Sequence, residues 1–258
     1  MSNQKPMLKI LVIGETCVDK FVYCKTNRLS PEAPVPVIIP IKSTENPGMA
    51  GNTERNLGSI GKEFLNNTNL QILSFYGDLG TEKVRYIDEE SNHMFLRVDS
   101  NNEKYDPLFL NNFHLKCIKE QDIVIISDYN KGFLNETTLE QIAENSKFSI
   151  IDTKRKLSKE IADLFTFIKL NEEEYNKNFH LDPKNIIITK GKNGAEWKEI
   201  NFPANNPQDT IDVSGAGDTF TAAFAIGWWM YKNVPDAIKF ANQMASLVVS
   251  KKGVVTPF

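Results

Sequence analysis

The chain has 258 residues, 41% of them hydrophobic and 24% charged, which suits one large α/β domain or a core domain with a small appendage. A net charge of −3 excludes the global basic excess of proteins that bind nucleic acid or an anionic membrane, so an anionic substrate has to be held by a local cluster of Lys, Arg and backbone N–H groups. The apolar runs at 8–13 and 220–230 are too short to span a bilayer; the scattered Cys17, Cys24, Cys117, His93, His114 and His180 fit no zinc, redox or paired-histidine motif, and plain thiols in a reducing cytoplasm are expected.

Residues 8–14 (LKILVIG) form a continuous apolar run ending in glycine, the pattern of a parallel strand buried on both faces. The stretch 20–41 holds two short β-rich runs around a turn with Pro31, Pro34 and Pro36, and such proline use places them in exposed or edge strands. Leu57 and Ile60 share one face of a helix over 50–60, residues 70–76 read as a strand, and 83–88 with 93–98 read as a hairpin. From 122 onward strands and helices alternate: strand 122–127, helix near 135–146, strand 148–152, short helix near 157–164, strand near 165–170, an acidic helix start at 171–175, strand 185–189, a hairpin near 194–200, and helices at about 215–231 and 235–251. This rhythm predicts an α/β fold, a mostly parallel central sheet covered by helices on both faces, spanning 1–258 as one domain. The segments 20–41 and 83–98 are expected to stand apart from it as a small β-sheet lid.

The densest chemical signal is DTIDVSGAGDTFTAAFAIGW, 209–228. Gly215, Ala216 and Gly217 open a long apolar helix, and small residues there let a ligand approach the backbone closely. First-turn N–H groups lack intrahelical partners and the helix dipole adds positive potential, so the segment suits a transferring phosphoryl group. Asp218 follows in the first turn, where a carboxylate can accept the proton of an attacking hydroxyl. The same residues also suit a plain glycine-rich turn with Asp218 as an ordinary N-terminal charge. No G-x-x-x-x-G-K-[ST] run occurs, which excludes a P-loop enzyme.

DTIDVSGAGDTF resembles the C-terminal signature of the ribokinase-like (phosphofructokinase-B-type) carbohydrate kinases. A second stretch, VIGETCVDKFVYCKTNRLSPEAPVPV at 12–37, is similar to the N-terminus of the heptose 7-phosphate kinases within that family, and ISDYNKG, IDTK, NEEE, TKGKNG and FANQMASLVVSKKG continue the likeness in order along the chain. The resemblance implies ATP-dependent phosphorylation of a small-molecule sugar or sugar phosphate, with ATP and Mg²⁺ as cofactors, no nucleic acid or membrane partner, and a homodimer formed through the lid. It makes Asp218 the general base and Gly215, Ala216 and Gly217 the anion hole. Asp19, at the end of the first strand, would grip sugar hydroxyls, and Gly48 and Asn52 match the family's substrate loop, with Met49 where that loop has a second glycine. Arg28, Lys83 and Arg85 would hold a substrate phosphate. Asn171 and Glu174 match the family's Asn-x-x-Glu motif and would organise Mg²⁺, directly or through water; Asp152 and Lys154 resemble its Asp-Pro-Lys. Thr189, Gly191, Gly194 and Asn242 would border the nucleotide, although TKGKNG equally suits a hairpin turn. A kinase for another sugar on the same scaffold, or a non-catalytic sugar or nucleotide binder, remains open on the residues alone.

Overall fold

The computed structural model describes residues 6–77, 80–101, 104–205, 214–251 and 253–258. In chain order its main elements are β1 (Met7–Leu29), β2 (Pro36–Met49), α1 (Ala50–Phe64), β3 (Asn69–Gly77), β4 (Glu82–Asp88), β5 (Met94–Ser100), α2 (Asn112–Glu120), β6 (Ile123–Asp128), α3 (Glu136–Asn145), β7 (Ser149–Thr153), α4 (Lys159–Ala162), β8 (Phe167–Asn171), α5 (Glu172–Lys177), β9 (Ile186–Thr189), β10 (Ala195–Trp197), β11 (Ile200–Phe202), α6 (Ala216–Tyr231) and α7 (Val234–Val249).

β1 is the spine, because it serves two sheets in succession. Its first part pairs in parallel with β3 on one side and β6 on the other, and β7, β8 and β9 extend that parallel sheet before the antiparallel β10 and β11. Its second part, from Thr16, pairs antiparallel with β2 and parallel with β4, and β4 pairs antiparallel with β5. The expected separate strands at 8–14 and 20–41 are therefore one continuous strand. Nothing between them breaks it: TCVDKFVYC simply changes from a doubly apolar run to alternation. The lid sheet begins at Thr16 rather than 20, and its partner β2 runs on to Met49, eight residues past the expected boundary. β2 pairs with β1 alone, which accommodates Pro36, Pro40 and Pro47 in a strand.

Alternation along the parallel strands builds a core on each face. Leu8, Ile10, Val12, Ile123, Ile125 and Ile150 point to the side covered by α1, α6 and α7; Leu11, Ile13, Val124, Ile126 and Ile151 point to the side covered by α2, α3 and α4. Each such Leu or Ile is worth about 1.5–3 kcal/mol on burial. α6 lies between α1 and α7, so it is apolar nearly all round, and Phe220 through Gly227 are buried without interruption.

α2 had no counterpart among the expected elements. Its capping box uses Asn111 and His114 in place of the usual Glu or Gln, and only Ile118 is fully buried, so both its start signal and its apolar stripe are faint in sequence.

Candidate active site

The C-terminal ends of the parallel strands, the lid and the start of α6 converge on one cavity of about 350 Å³. This is the edge at which open α/β sheets take ligands. Gly215 caps α6 with φ 81°, a left-handed conformation, and a Cβ there would lie 2.6 Å from Asn52 Nδ2. Glycine is required on both counts. Residues 209–213, the first part of the motif, lie outside the described residues.

Asp218 sits in the first turn of α6 and is buried. Asn52 Nδ2 donates to its Oδ2 at 2.9 Å and Tyr129 Oη donates to its Oδ1 at 3.1 Å. Desolvation pushes the carboxyl up to about 6, with the Asn52 hydrogen bond pulling the other way and the Asp152 charge adding to the rise. A base with that value is ionised yet basic near neutral pH, which general-base catalysis favours. Tyr129 itself is driven well above the ordinary phenol value by burial and by the Asp218 charge, so it stays a donor.

Across from Asp218 the lid contributes charge. Strand alternation turns Lys83 and Arg85 of β4 and Arg97 and Asp99 of β5 toward the cavity, and Arg85 stands directly opposite Arg97 in the ladder. Like charges facing each other across strands are unfavourable, and each arginine has its own acid: Arg85 pairs with Asp19 at 2.5 Å and Arg97 with Asp99 at 2.6 Å. Lys83 and Lys154 lie over the Tyr129 ring, 5.2 and 4.7 Å from its centre. The cavity lining holds five cations (Lys83, Arg85, Arg97, Lys131, Lys154) against three carboxylates, in a protein whose net charge is −3. Burial and then the repulsion of Lys83 push the Lys131 ammonium below its ordinary value, as expected where cations are gathered for an anion that supplies the counter-charge.

The expected site residues divide. Asp19, Lys83, Arg85, Gly215 and Asp218 line the cavity together. Gly48 packs against it, since a Cβ there would fall 2.2 Å from Asp19 Oδ2 and 2.6 Å from Cys17 Sγ. Met49 lines the cavity at a positive φ, 57° with ψ −130°, a backbone that favours glycine, and the resembling motif has glycine there. Asn52 is buried, with Nδ2 donating to Asp218 and Oδ1 accepting from Asn56. Arg28 is not brought to the cavity within this chain. It is exposed near the far end of β1, nine residues beyond Asp19, which at about 3.3 Å per residue is at most roughly 30 Å along a strand that bulges twice on the way. Arg97, which the sequence reading missed, stands where Arg28 was expected, and only the β4–β5 register reveals it.

At the end of β8, Asn171 and Glu174 form a reciprocal capping box at the start of α5: Glu174 N donates to Asn171 Oδ1 and Asn171 N to Glu174 Oε2, both at 2.8 Å. Thr189 Oγ1 donates to Leu170 O, Gly191 (φ 54°) opens a short 3₁₀ turn, and Gly194 (φ 88°) comes against the Phe202 carbonyl, where no Cβ fits. Asn242 donates to Phe202 O and Pro203 O at 2.8 and 3.2 Å, which ties α7 to the end of β11. These four stand outside the residues lining the cavity and shape the sheet edge beyond it. Among the described residues no three His, Cys, Asp or Glu side chains gather as a metal cage. Glu174 nonetheless offers a carboxylate oxygen, Oε1, facing Lys154 at 3.9 Å, and one such hard oxygen acting through water suits an ion whose other ligands are phosphates.

Residues 67–258 match the model of the pfkB family carbohydrate kinases. The chain belongs to that family. This pfkB kinase is similar to the Bifunctional protein HldE of Helicobacter pylori, 32% identical with 96% of this chain and 64% of the relative covered, and to that of a Nitratiruptor species, 29% identical with 96% and 63% covered. The chain therefore spans a little under two thirds of the length of those relatives. Among solved structures the kinase is similar to ribokinase of Thermotoga maritima (TM-score 0.69, 18% identity, 96% of this chain and 94% of that one) and to Arabidopsis thaliana ribokinase complexed with ribose and ATP (TM-score 0.67, 17% identity, 97% and 94%). The ribokinase-like fold expected from the sequence is the fold observed, and the protein is a carbohydrate kinase. No helix among the described residues is long and apolar enough to cross a membrane.

Proposed function

We propose that this kinase transfers the γ-phosphoryl group of ATP to the anomeric hydroxyl of a heptose 7-phosphate. The observation that carries the reading is the inverted charge of the cavity, with lid cations Lys83, Arg85 and Arg97 and the nearby Lys131 opposite Asp218. A neutral sugar needs no such cluster; a sugar that already bears a phosphate does. The HldE likeness supports the same substrate class.

In this mechanism Asp19 orients sugar hydroxyls, and the lid cations and Lys131 take the substrate phosphate. That sets the anomeric hydroxyl at Asp218, which accepts its proton as the oxygen attacks. The N–H groups of Gly215, Ala216 and Gly217 would meet the charge that develops on the transferred group, and Lys154 would neutralise the nucleotide phosphates. Glu174 would hold Mg²⁺ through water, and the ion would supply charge neutralisation at those phosphates. Asn171 shapes that helix start, and Thr189, Gly191, Gly194 and Asn242 shape the wall beside the nucleotide. ATP as the phosphoryl donor supports a cytoplasmic setting for the reaction.

The lid also supports a homodimer. Leu29, Val35, Ile39, Ile41, Met94, Leu96 and Val98 are all exposed, and Leu96 and Val98 lie on the face of β5 opposite Arg97 and Asp99. Apolar sheet of this kind is covered when a second copy packs on it.

The deciding experiment is an ATP-consumption screen across neutral sugars and sugar phosphates, with D-glycero-D-manno-heptose 7-phosphate included. The reading requires the highest kcat/KM for the heptose phosphate. A preference for a neutral sugar overturns it, and a preference for another sugar phosphate moves the assignment within the same chemistry.

A further inference from the structure

Behind Asp218, on the side away from the cavity, four polar side chains form a line through the interior. Thr219 Oγ1 donates to Asn56 Oδ1 at 3.0 Å, Asn56 Nδ2 donates to Asn52 Oδ1 at 3.2 Å and to Asn52 O at 2.8 Å, and Asn52 Nδ2 donates to Asp218 Oδ2 at 2.9 Å. Thr219 and Asn56 have no exposure and Asn52 has 1%, so solvent does not compete for these groups. Asn52 and Asn56 are four apart on α1 and share a face; Asp218 and Thr219 are neighbours on α6.

A side-chain amide has a donor end and an acceptor end, and its orientation follows from its partners. The Asn56 NH₂ serves two oxygens of Asn52, so Asn56 Oδ1 has to accept, and Thr219 supplies that hydrogen. The Asn52 Oδ1 is then engaged by a donor, which leaves Asn52 Nδ2 to meet the carboxylate. The reversed Asn52 amide would set an oxygen against Asp218 Oδ2, oppose ionisation and bond the protonated acid instead. We infer that Asn56 and Thr219 are positioning residues for the base: they lock the Asn52 amide with its NH₂ toward Asp218 and so keep that carboxylate in its proton-accepting form. The Thr219 hydroxyl also lies 3.0 Å from Gly215 O, the back-bond open to a helical threonine, so its one hydrogen is shared between that carbonyl and Asn56 Oδ1.

Other groups act on the same carboxylate. Tyr129, after β6, donates to Oδ1; Lys169 of β8 and Asp152 of β7 act on it in opposite directions; Cys17 of β1 is near; Lys83 and Lys154 flank the Tyr129 ring. None of them belongs to the line of amides, so each stays in place when that line is altered.

The inference rests on Asp218 being the base, and the test separates the two. The full chain carrying ¹³C-labelled aspartate is titrated by NMR, with Asp218→Asn identifying the resonance. Asn56→Leu and Thr219→Val are expected to move the Asp218 midpoint upward by about one pH unit, the size of a lost hydrogen bond to a charged group, and to carry the acid limb of kcat with it. Thr219→Ser, which keeps the hydroxyl, is expected to titrate as the wild type does. Thr219→Val is nearly isosteric and carries the test if Asn56→Leu does not fold. An unmoved midpoint in folded Thr219→Val overturns the positioning role. Wild-type turnover in Asp218→Asn overturns the base itself, whatever the titration shows.

Discussion

Replacing Asp218 by Asn should cripple the enzyme and stabilise the fold at the same time. The side chain keeps its shape and can still accept from Asn52, while the charge and the proton-accepting ability go. Loss of a general base costs about 10²–10⁴ in turnover, and ATP binding should be nearly unchanged because the groups assigned to the nucleotide are untouched. The stability effect follows from burial, which lifts the carboxyl from 3.8 to about 6. A raised carboxyl is harder to ionise folded than unfolded. The fold is therefore free of this penalty below about pH 3.8, loses stability between there and pH 6, and bears the full cost above. At about 1.4 kcal/mol per pH unit the cost above pH 6 is about 3 kcal/mol. Asp218→Asn removes it, so urea denaturation at pH 7.5 should show a gain of about 3 kcal/mol, shrinking to roughly half at pH 5 and vanishing near pH 4. Wild-type turnover should fall on the acid side of pH 6, where the base becomes protonated. An inactive variant whose gain over the wild type is no larger at pH 7.5 than at pH 4 would show that burial does not strain this carboxylate.

Further expectations follow from the same cavity. Arg97→Ala should raise KM for a phosphorylated sugar by about 10- to 100-fold, the worth of a charged hydrogen bond, and leave a neutral sugar almost unaffected; Arg28→Ala should change neither by more than about twofold, and steady-state kinetics on both substrates checks both. Activity should require Mg²⁺ or Mn²⁺ and disappear with a chelator, and Glu174→Gln should raise the Mg²⁺ concentration needed for half-maximal rate; an unchanged metal titration removes Glu174 from the metal's shell. Light scattering at micromolar concentration should give the mass of a dimer, and Leu96→Glu, on the outer lid face, should shift it toward the monomer without lowering the urea midpoint.

Much of this protein was legible before any coordinates. The doubly apolar run at 8–13 and the strand–helix rhythm after 122 fix a parallel sheet covered on both sides, because only a strand buried on both faces needs apolar residues at consecutive positions. Gly215 to Asp218 announced a helix start, since glycine there answers a local backbone demand that stays the same whatever surrounds it. What sequence could not show were relations between distant segments. Asn52 read as a sugar ligand, yet it meets a carboxylate 166 residues away, and no local pattern encodes which polar group a buried amide will find. Arg28 read as a phosphate clamp from the motif around it, yet β1 proved continuous and carries it to the lid's outer end. Arg97 was silent because its place beside Arg85 depends on the register of β4 against β5, where a slip of one residue would turn it to the other face. The sequence by itself determined the fold and pointed to Asp218 at the start of α6, through periodicity and local backbone chemistry; tertiary structure alone decided which charges share the cavity, because pairing register and strand length act between residues far apart in the chain.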